Sequence, residues 1–425
     1  MLDPAFHYVQ GELHVEGVAC GTLAEQYGTP LYVYSRAALS DAYRAYADAC
    51  ADSCTPGSAR IHVAVKANSN LAVLNIFARL GAGFDIVSAG ELARVIAAGG
   101  KAADTVFSGI GKSADEMRVA LQAGVKCFNV ESIPELERLN QVARGLGLRA
   151  PVSLRVNPDV DAKTHPYIST GLKSNKFGVA YDAARATYRA AAAMDHLDVI
   201  GIDCHIGSQI TEIEPYLDAA DRVLQLVEQI EADGVKLHHI DVGGGLGIRY
   251  EAETPPDIGT FVSTVLEHFS KRGQGHREIW FEPGRSLVGN AGILLTRIEY
   301  LKPGEAKNFA IVDAAMTDLA RPAMYDAYHE IVPVLQHAHV SAAVYDVVGP
   351  VCESGDWLGR DRSLAAQPGD LLAIMSAGAY GFVMSSNYNT RPRAAELVVD
   401  GTTVHLARAR ETVQQLLAGE AVLPV

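Results

Sequence analysis

IHVAVKANSN, residues 61–70, is an apolar strand that ends in a lysine. Ile61, Val63 and Val65 alternate with His62 and Ala64, the period of a β-strand. Lys66 stands at the carboxyl end, ahead of the turn-forming run Asn68-Ser69-Asn70. Two readings compete. A lysine is ordinarily solvated, with its stem lying along apolar surface. At the carboxyl end of a parallel strand, the same amine would stand on the face where such folds put their chemistry.

Working outward, eight runs share this character: 61–65, 83–87, 105–108, 126–130, 152–156, 199–205, 238–242 and 278–282. Segments with helical spacing lie between them, such as 88–98, 215–232 and the alanine-rich 183–193. Ser132 reads as a helix N-cap, with Glu135 three residues on to close a capping box. Eight such units predict a (β/α)8 barrel over residues 35–281. A doubly wound open sheet has the same alternation, and period alone does not decide closure. After Glu282 the texture becomes β-rich, with runs at 293–300, 309–312, 331–335, 343–347, 371–374 and 397–399, and a late helix at 413–417. Residues 282–425 therefore read as a β-rich domain, joined by residues 1–34 through runs such as 31–34.

Composition narrows the function. The 425 residues carry 50 acidic and 36 basic side chains, a formal net charge of −14. That argues against nucleic acid as a partner, because phosphate backbones demand a basic footprint. There is no apolar run long enough for a membrane span and no basic-then-apolar leader, so a cytoplasmic protein with reduced thiols is expected. The six cysteines form no C-x-x-C pair, and no metal site is expected.

The chemistry concentrates at the carboxyl ends of the strands. DVGGGLGIRY, residues 241–250, places Gly243, Gly244, Gly245 and Gly247 after the seventh run. Consecutive glycines let backbone amides cradle an anion, although the stretch matches neither Walker A nor the spaced dinucleotide pattern and also reads as a flexible loop. The eighth run ends in WFEPGRSLVG, with Gly284 and Arg285, and loops after strands seven and eight of barrels often bind phosphate. Glu282 is there either an ion-pair partner of Arg285 or a carboxylate aimed at a ligand. His205, with Gly207 and Ser208 behind it, ends the sixth run as a packed or a catalytic imidazole. His62 and His7 read as structural. An amine, a flat imidazole, an acid and a phosphate cradle together suit a phosphorylated aldehyde cofactor, and pyridoxal phosphate fits each part.

The chain also resembles the fold-type III pyridoxal-phosphate-dependent decarboxylases, nearly end to end. YGTPLYVYS, VAVKANSN, GFDIVSAGEL, LRVNPDVDAKTHPYISTGLKSNKFGV, HIGSQI, DVGGGLG, EPGRSLV, RPAMYDAYH, GPVCESGD and GAYGFVMSSNYN stand in the family's order. The resemblance implies a barrel with a β domain, pyridoxal 5'-phosphate as cofactor, and removal of carbon dioxide from meso-diaminopimelate to give L-lysine. It assigns Lys66 as the Schiff-base lysine and stacks His205 on the ring. It puts Ser208, Gly244, Gly245, Gly284 and Arg285 around the phosphate, with Tyr380 closing that site and reaching the substrate. Glu282 would face the pyridine nitrogen. Arg285, Arg321 and Tyr325 would hold substrate carboxylate. A homodimer with shared active sites is implied, in which Cys352 and Glu353 enter the partner's site as proton donor and contact to the distal ammonium. Decarboxylases of ornithine, arginine or carboxynorspermidine are the nearest rivals, since a diamino dicarboxylic substrate needs both Arg321 and Glu353 at its far end. A racemase would favour an arginine where Glu282 stands. A non-catalytic pyridoxal-phosphate-binding protein would have lost Lys66 or Cys352. The polar run 165–176 is a candidate lid.

Overall fold

The computed structural model describes residues 3–53, 58–161 and 176–424. The candidate lid lies outside the described residues, apart from Lys176 at its end. The chain forms two compact units: Ser40–Ile248 with Glu253–Leu287, and Met1–Leu39 with Arg249–Ala252 and Val288–Val425.

The first unit is a closed barrel. Its eight strands are Ala59–Ala64, Gly83–Ile86, Thr105–Phe107, Cys127–Val130, Ala150–Asn157, Leu197–Asp203, His239–Asp241 and Glu278–Phe281. Each pairs in parallel with the next, and the eighth pairs in parallel with the first. The ring therefore shuts, and the open-sheet alternative is excluded. Helices Ala89–Ala97, Tyr181–Ala192 and Glu214–Ala232 fall where the helical spacing predicts them.

The first strand passes directly into a 3-10 turn, Val65–Ala67, which carries Lys66. Helices then start on side-chain caps: Asn70 accepts from the Ala72 amide, Ser88 from Glu91 and Ser113 from Glu116. Ser132 does cap its helix, but the expected reciprocal half of the box does not form. Glu135 instead accepts from the Glu131 amide at 2.9 Å and from Lys112 Nζ at 2.7 Å. The reason is burial. Lys112 and Glu135 are both withdrawn from water, and a buried ammonium demands a charged partner more strongly than an exposed amide does. Lys112 Nζ also donates to the carbonyls of Gly109 and Asn129, tying the third strand's loop to the fourth strand.

Inside the barrel, side chains two residues apart on a strand share a face, one layer above the other. One layer below Asp241 and Glu282 lie His239 and Trp280, stacked with ring centroids 3.4 Å apart. His62 packs on the same indole at 4.9 Å. All three are buried, and burial pushes the His62 imidazole down to about 4, so these rings are neutral packing elements.

The second unit is built on a sheet ordered Trp357–Leu364, Ala343–Val348, Phe309–Val312, Gly292–Lys302, Leu31–Ser35, Ala395–Asp400 and Thr403–Arg408. Leu31–Ser35 draws the N-terminal segment into it, antiparallel to Gly292–Lys302 and parallel to Ala395–Asp400. Leu31, Val33, Ile293, Leu295, Leu397 and Val399 form the middle of its core. The two terminal strands of the order, Trp357–Leu364 and Thr403–Arg408, carry arginine, aspartate and histidine, as edge strands that face water do. Among the described residues, no helix is long and apolar enough to cross a membrane.

Candidate active site

Lys66 is not simply a solvated lysine. Its Nζ donates to Asp85 Oδ2 at 2.5 Å, with Asp85 fully buried and a third of the lysine side chain exposed. The pairing follows from register: Ala64 of the first strand faces Asp85 of the second, and Lys66 lies two residues beyond. A half-open ammonium on a buried carboxylate is an amine held at the barrel mouth.

His205 follows the sixth strand. Its Nδ1 accepts from the Gly244 amide at 3.1 Å, which leaves the ring proton on Nε2. Burial first, then the charges of Arg155 and Lys66, hold its pKa well below the ordinary histidine value. The imidazole is therefore neutral, flat and fixed in tautomer. The turn behind it requires glycine. A Cβ at Gly244 would lie 2.1 Å from the Glu282 carbonyl oxygen, and Gly245, at φ +109°, would put one 2.5 Å from Gly207 O. Within this turn the Gly244 amide serves the imidazole. The anion donors beside it are Ser208 and Arg285, whose Nη2 and Nε donate to Ser208 Oγ at 3.0 and 3.3 Å. Gly284, immediately before Arg285, packs against Ala64 and Ala67 of the lysine turn.

Glu282 is buried and receives Asn129 Nδ2 at 3.4 Å. It has company the sequence reading missed. Asp203 and Asp241 end the sixth and seventh strands, Glu282 directly follows the eighth, and their carboxylate oxygens lie within 4.8 Å of one another. Asp203 faces Asp241 in register, and Arg155 faces Asp203 on the other side. Arg155 also bonds Glu131 at 3.3 Å. Burial, then the charges of Asp241, Asp85 and Asp203, push Glu282 well above the usual carboxylate range, against the pull of Lys66. Burial likewise raises Asp203, and lifts Asp241 to about 7 although the Gly243 amide opposes it. Three carboxylates this close in a dry site share protons. The layer is short of positive charge, and a ligand bearing a cationic nitrogen would supply it. A signal did exist: Asp85, Asp203 and Asp241 each stand at or near the carboxyl end of a strand, directly after an apolar residue.

The remaining predicted residues belong to the second unit. Arg321 opens the short helix Arg321–Tyr325, and Tyr325 closes it half-buried. The Arg321 guanidinium lies 4.5 Å from the Tyr250 ring centroid and donates to His329 Nε2 at 2.9 Å. His329 Nδ1 in turn donates to the Met375 carbonyl at 2.8 Å. Tyr380 sits in the left-handed region at φ +54°, where a bulky residue is strained. Cys352 and Glu353 are exposed on the 349–356 loop.

Comparison with known proteins agrees with this geometry. Residues 38–289 match the pyridoxal-dependent decarboxylase, pyridoxal binding domain family. A diaminopimelate decarboxylase of Pseudomonas aeruginosa is 60% identical over 419 residues, covering 99% of both chains. The chain belongs to the diaminopimelate decarboxylase family. The family's Vibrio cholerae member is 56% identical, again over 99% of each chain. The solved diaminopimelate decarboxylase of M. jannaschii in complex with L-lysine superposes at TM-score 0.94 with 37% identity, covering 100% of this chain and 99% of that one. The Helicobacter pylori enzyme, also complexed with L-lysine, gives 0.88 and 39%, covering 94% and 98%.

Proposed function

We propose that the chain decarboxylates meso-diaminopimelate to L-lysine and carbon dioxide, using pyridoxal 5'-phosphate held in the barrel mouth. The acidic layer carries this reading: Asp203, Asp241 and Glu282 crowd three buried carboxylates beside Arg155, next to an amine and a neutral imidazole, a setting that favours a cationic ring nitrogen. The names of relatives at 60% and 56% identity support the substrate.

The residues fit the cofactor part by part. Lys66 would anchor the aldehyde, and Asp85 would hold its ammonium whenever the substrate amine displaces it. His205 would stack as a neutral plane kept in place by the Gly244 amide. Ser208, Gly245, Gly284 and Arg285 would take the phosphate, with Tyr380 closing it and touching the substrate. Glu282 would keep the ring nitrogen protonated. The cofactor supplies the electron sink for the carbanion left as carbon dioxide departs. Arg285, Arg321 and Tyr325 would bind carboxylate. Cys352 Sγ would deliver the proton to the carbanion, and Glu353 would meet the distal ammonium.

We further propose a homodimer in which Cys352 and Glu353 serve the partner's site. Exposed Leu71, Val87, Ile110 and Ile133, each just past one of the first four strands, are apolar surface that such an interface would cover. A cytoplasmic location is supported by the described cysteines, all free. The test is carbon dioxide release by the purified protein with added pyridoxal phosphate, across meso-diaminopimelate, ornithine, arginine, lysine and carboxynorspermidine. Release from meso-diaminopimelate alone is expected. Release from another of these would overturn the assigned substrate.

A further inference from the structure

We propose that the turn Tyr388–Thr390 is a positioning element for the reaction, with Asn389 setting Cys352 and Tyr388 setting Glu353. The inference rests on the reading of Cys352 as proton donor and Glu353 as contact to the distal ammonium. Asn389 Oδ1 accepts from the Cys352 amide at 3.1 Å. Tyr388 Oη donates to Glu353 Oε1 at 3.0 Å. Two consecutive residues of one turn thus hold two consecutive residues of the other loop, one by its backbone and one by its carboxylate.

The turn is strained. Asn389 and Thr390 both have φ of +56°, and a β-branched threonine there is a conformational outlier. Strain of this kind persists only where the surroundings over-determine it, and both flanks are pinned. The Ser386 amide donates to Thr317 O at 3.0 Å. Asn387 Nδ2 donates to Arg391 O and to Glu411 Oε2, at 3.0 and 2.8 Å. Arg391 Nη2 donates to Asp313 O at 2.5 Å.

The opposite loop is fastened at its base by Asp356, and its tip is turned by its own backbone, the Glu353 amide donating to Val351 O at 2.8 Å and the Asp356 amide to Glu353 O at 3.1 Å. Buried Asp356 accepts from the Met316 and Val351 amides at 2.6 and 2.7 Å. Those bonds shape the loop from within, and Asn389 and Tyr388 brace Cys352 and Glu353 from outside it. Hydrogen bonds between exposed groups contribute little to stability, so global folding does not explain a strained turn that makes two of them. Direction does. Anchoring the Cys352 amide fixes the Cα–Cβ vector that aims the thiol. Fixing one Glu353 oxygen sets how far away a substrate ammonium is met.

The two contacts should therefore separate kinetically. The variants Asn389→Gly, Asn389→Asp and Tyr388→Phe are assayed as full-length holoenzyme on meso-diaminopimelate, with Cys352→Ala and Glu353→Gln beside them. Asn389→Gly keeps a residue suited to left-handed φ but removes the acceptor, and should lower kcat about tenfold with KM nearly unchanged. Asn389→Asp keeps the acceptor and should recover most of kcat. Tyr388→Phe should raise KM several-fold at nearly constant kcat, in the direction of Glu353→Gln. The rate of Cys352 alkylation by iodoacetamide, read on its peptide by mass spectrometry, should change in Asn389→Gly and not in Asn389→Asp. An Asn389→Gly enzyme with wild-type kcat and wild-type alkylation overturns the proposal. If it does not fold, an unchanged KM in Tyr388→Phe does so. Full activity in Cys352→Ala would instead overturn the proton-donor reading, while the alkylation rates still report on the turn.

Discussion

In the barrel, Lys66 meets a fully buried Asp85, and Asp203, Asp241 and Glu282 are withdrawn from water. On the 349–356 loop, Cys352 and Glu353 stand exposed, held by hydrogen bonds: the Cys352 amide donates to Asn389, and the Tyr388 hydroxyl donates to Glu353. The first region prepares its groups electrostatically. Burial and like charges decide which carboxylate carries a proton and keep the imidazole neutral. The second prepares its groups geometrically, through backbone strain and exposed hydrogen bonds. Changes in the barrel should therefore read out in charge and pH, and changes in the loop in orientation and local stability.

The sharpest way to break this contrast is at Lys66. Lys66→Ala removes the proposed anchoring amine and leaves Asp85 buried without its cation. Carbon dioxide release should fall by about 10²–10⁴-fold, and added alkylamine should restore part of it. Wild-type release would remove the barrel's claim to the chemistry.

Next in size is the pH dependence of the cofactor-free protein. Asp241 is raised from 3.8 to about 7 in the folded chain, chiefly by burial. Its contribution to stability is fully present below pH 4 and is lost as pH rises through 7, because the unfolded chain ionises first. The loss is on the order of a few kcal/mol. Urea midpoints measured from pH 4.5 to 8 should fall with rising pH. Asp241→Asn, which keeps an acceptor for the Gly243 amide, should flatten that slope, with Asp203 and Glu282 leaving a residual one. Equal slopes would mean that the acidic layer does not share protons as its geometry requires.

The smallest effect is expected at the base of the exposed loop. Asp356→Ala strands the Met316 and Val351 amides and should cost about 1–3 kcal/mol, read as a lower melting temperature. An unchanged melting temperature would remove the loop's fastening at its base, and with it the geometric half of the contrast.

The barrel was legible because each strand is an apolar run bounded by turn residues, and each of its helices repeats at helical spacing. The grouping of Asp203 with Asp241 was not, because which strands lie side by side, and in what register, is set by the sheet and not by either run alone. Glu135 misled for a related reason: its partner Lys112 is distant in sequence, and a local capping rule could not see it. The residues Lys66, His205, Glu282 and Arg285 were readable because each stands next to a turn at a strand's carboxyl end. Tyr388 and Asn389 were not, since nothing local distinguishes SSNYN from an ordinary polar loop.

The stack of His239 on Trp280, with His62 against the same indole, has a consequence for the layer above it. These rings act as a stopper. Buried aromatic surface lies one layer beneath the acids, so a cationic ligand entering at the mouth would join Arg155 and Lys66 in balancing them from the other side. Loading the barrel and completing its charge then become a single event.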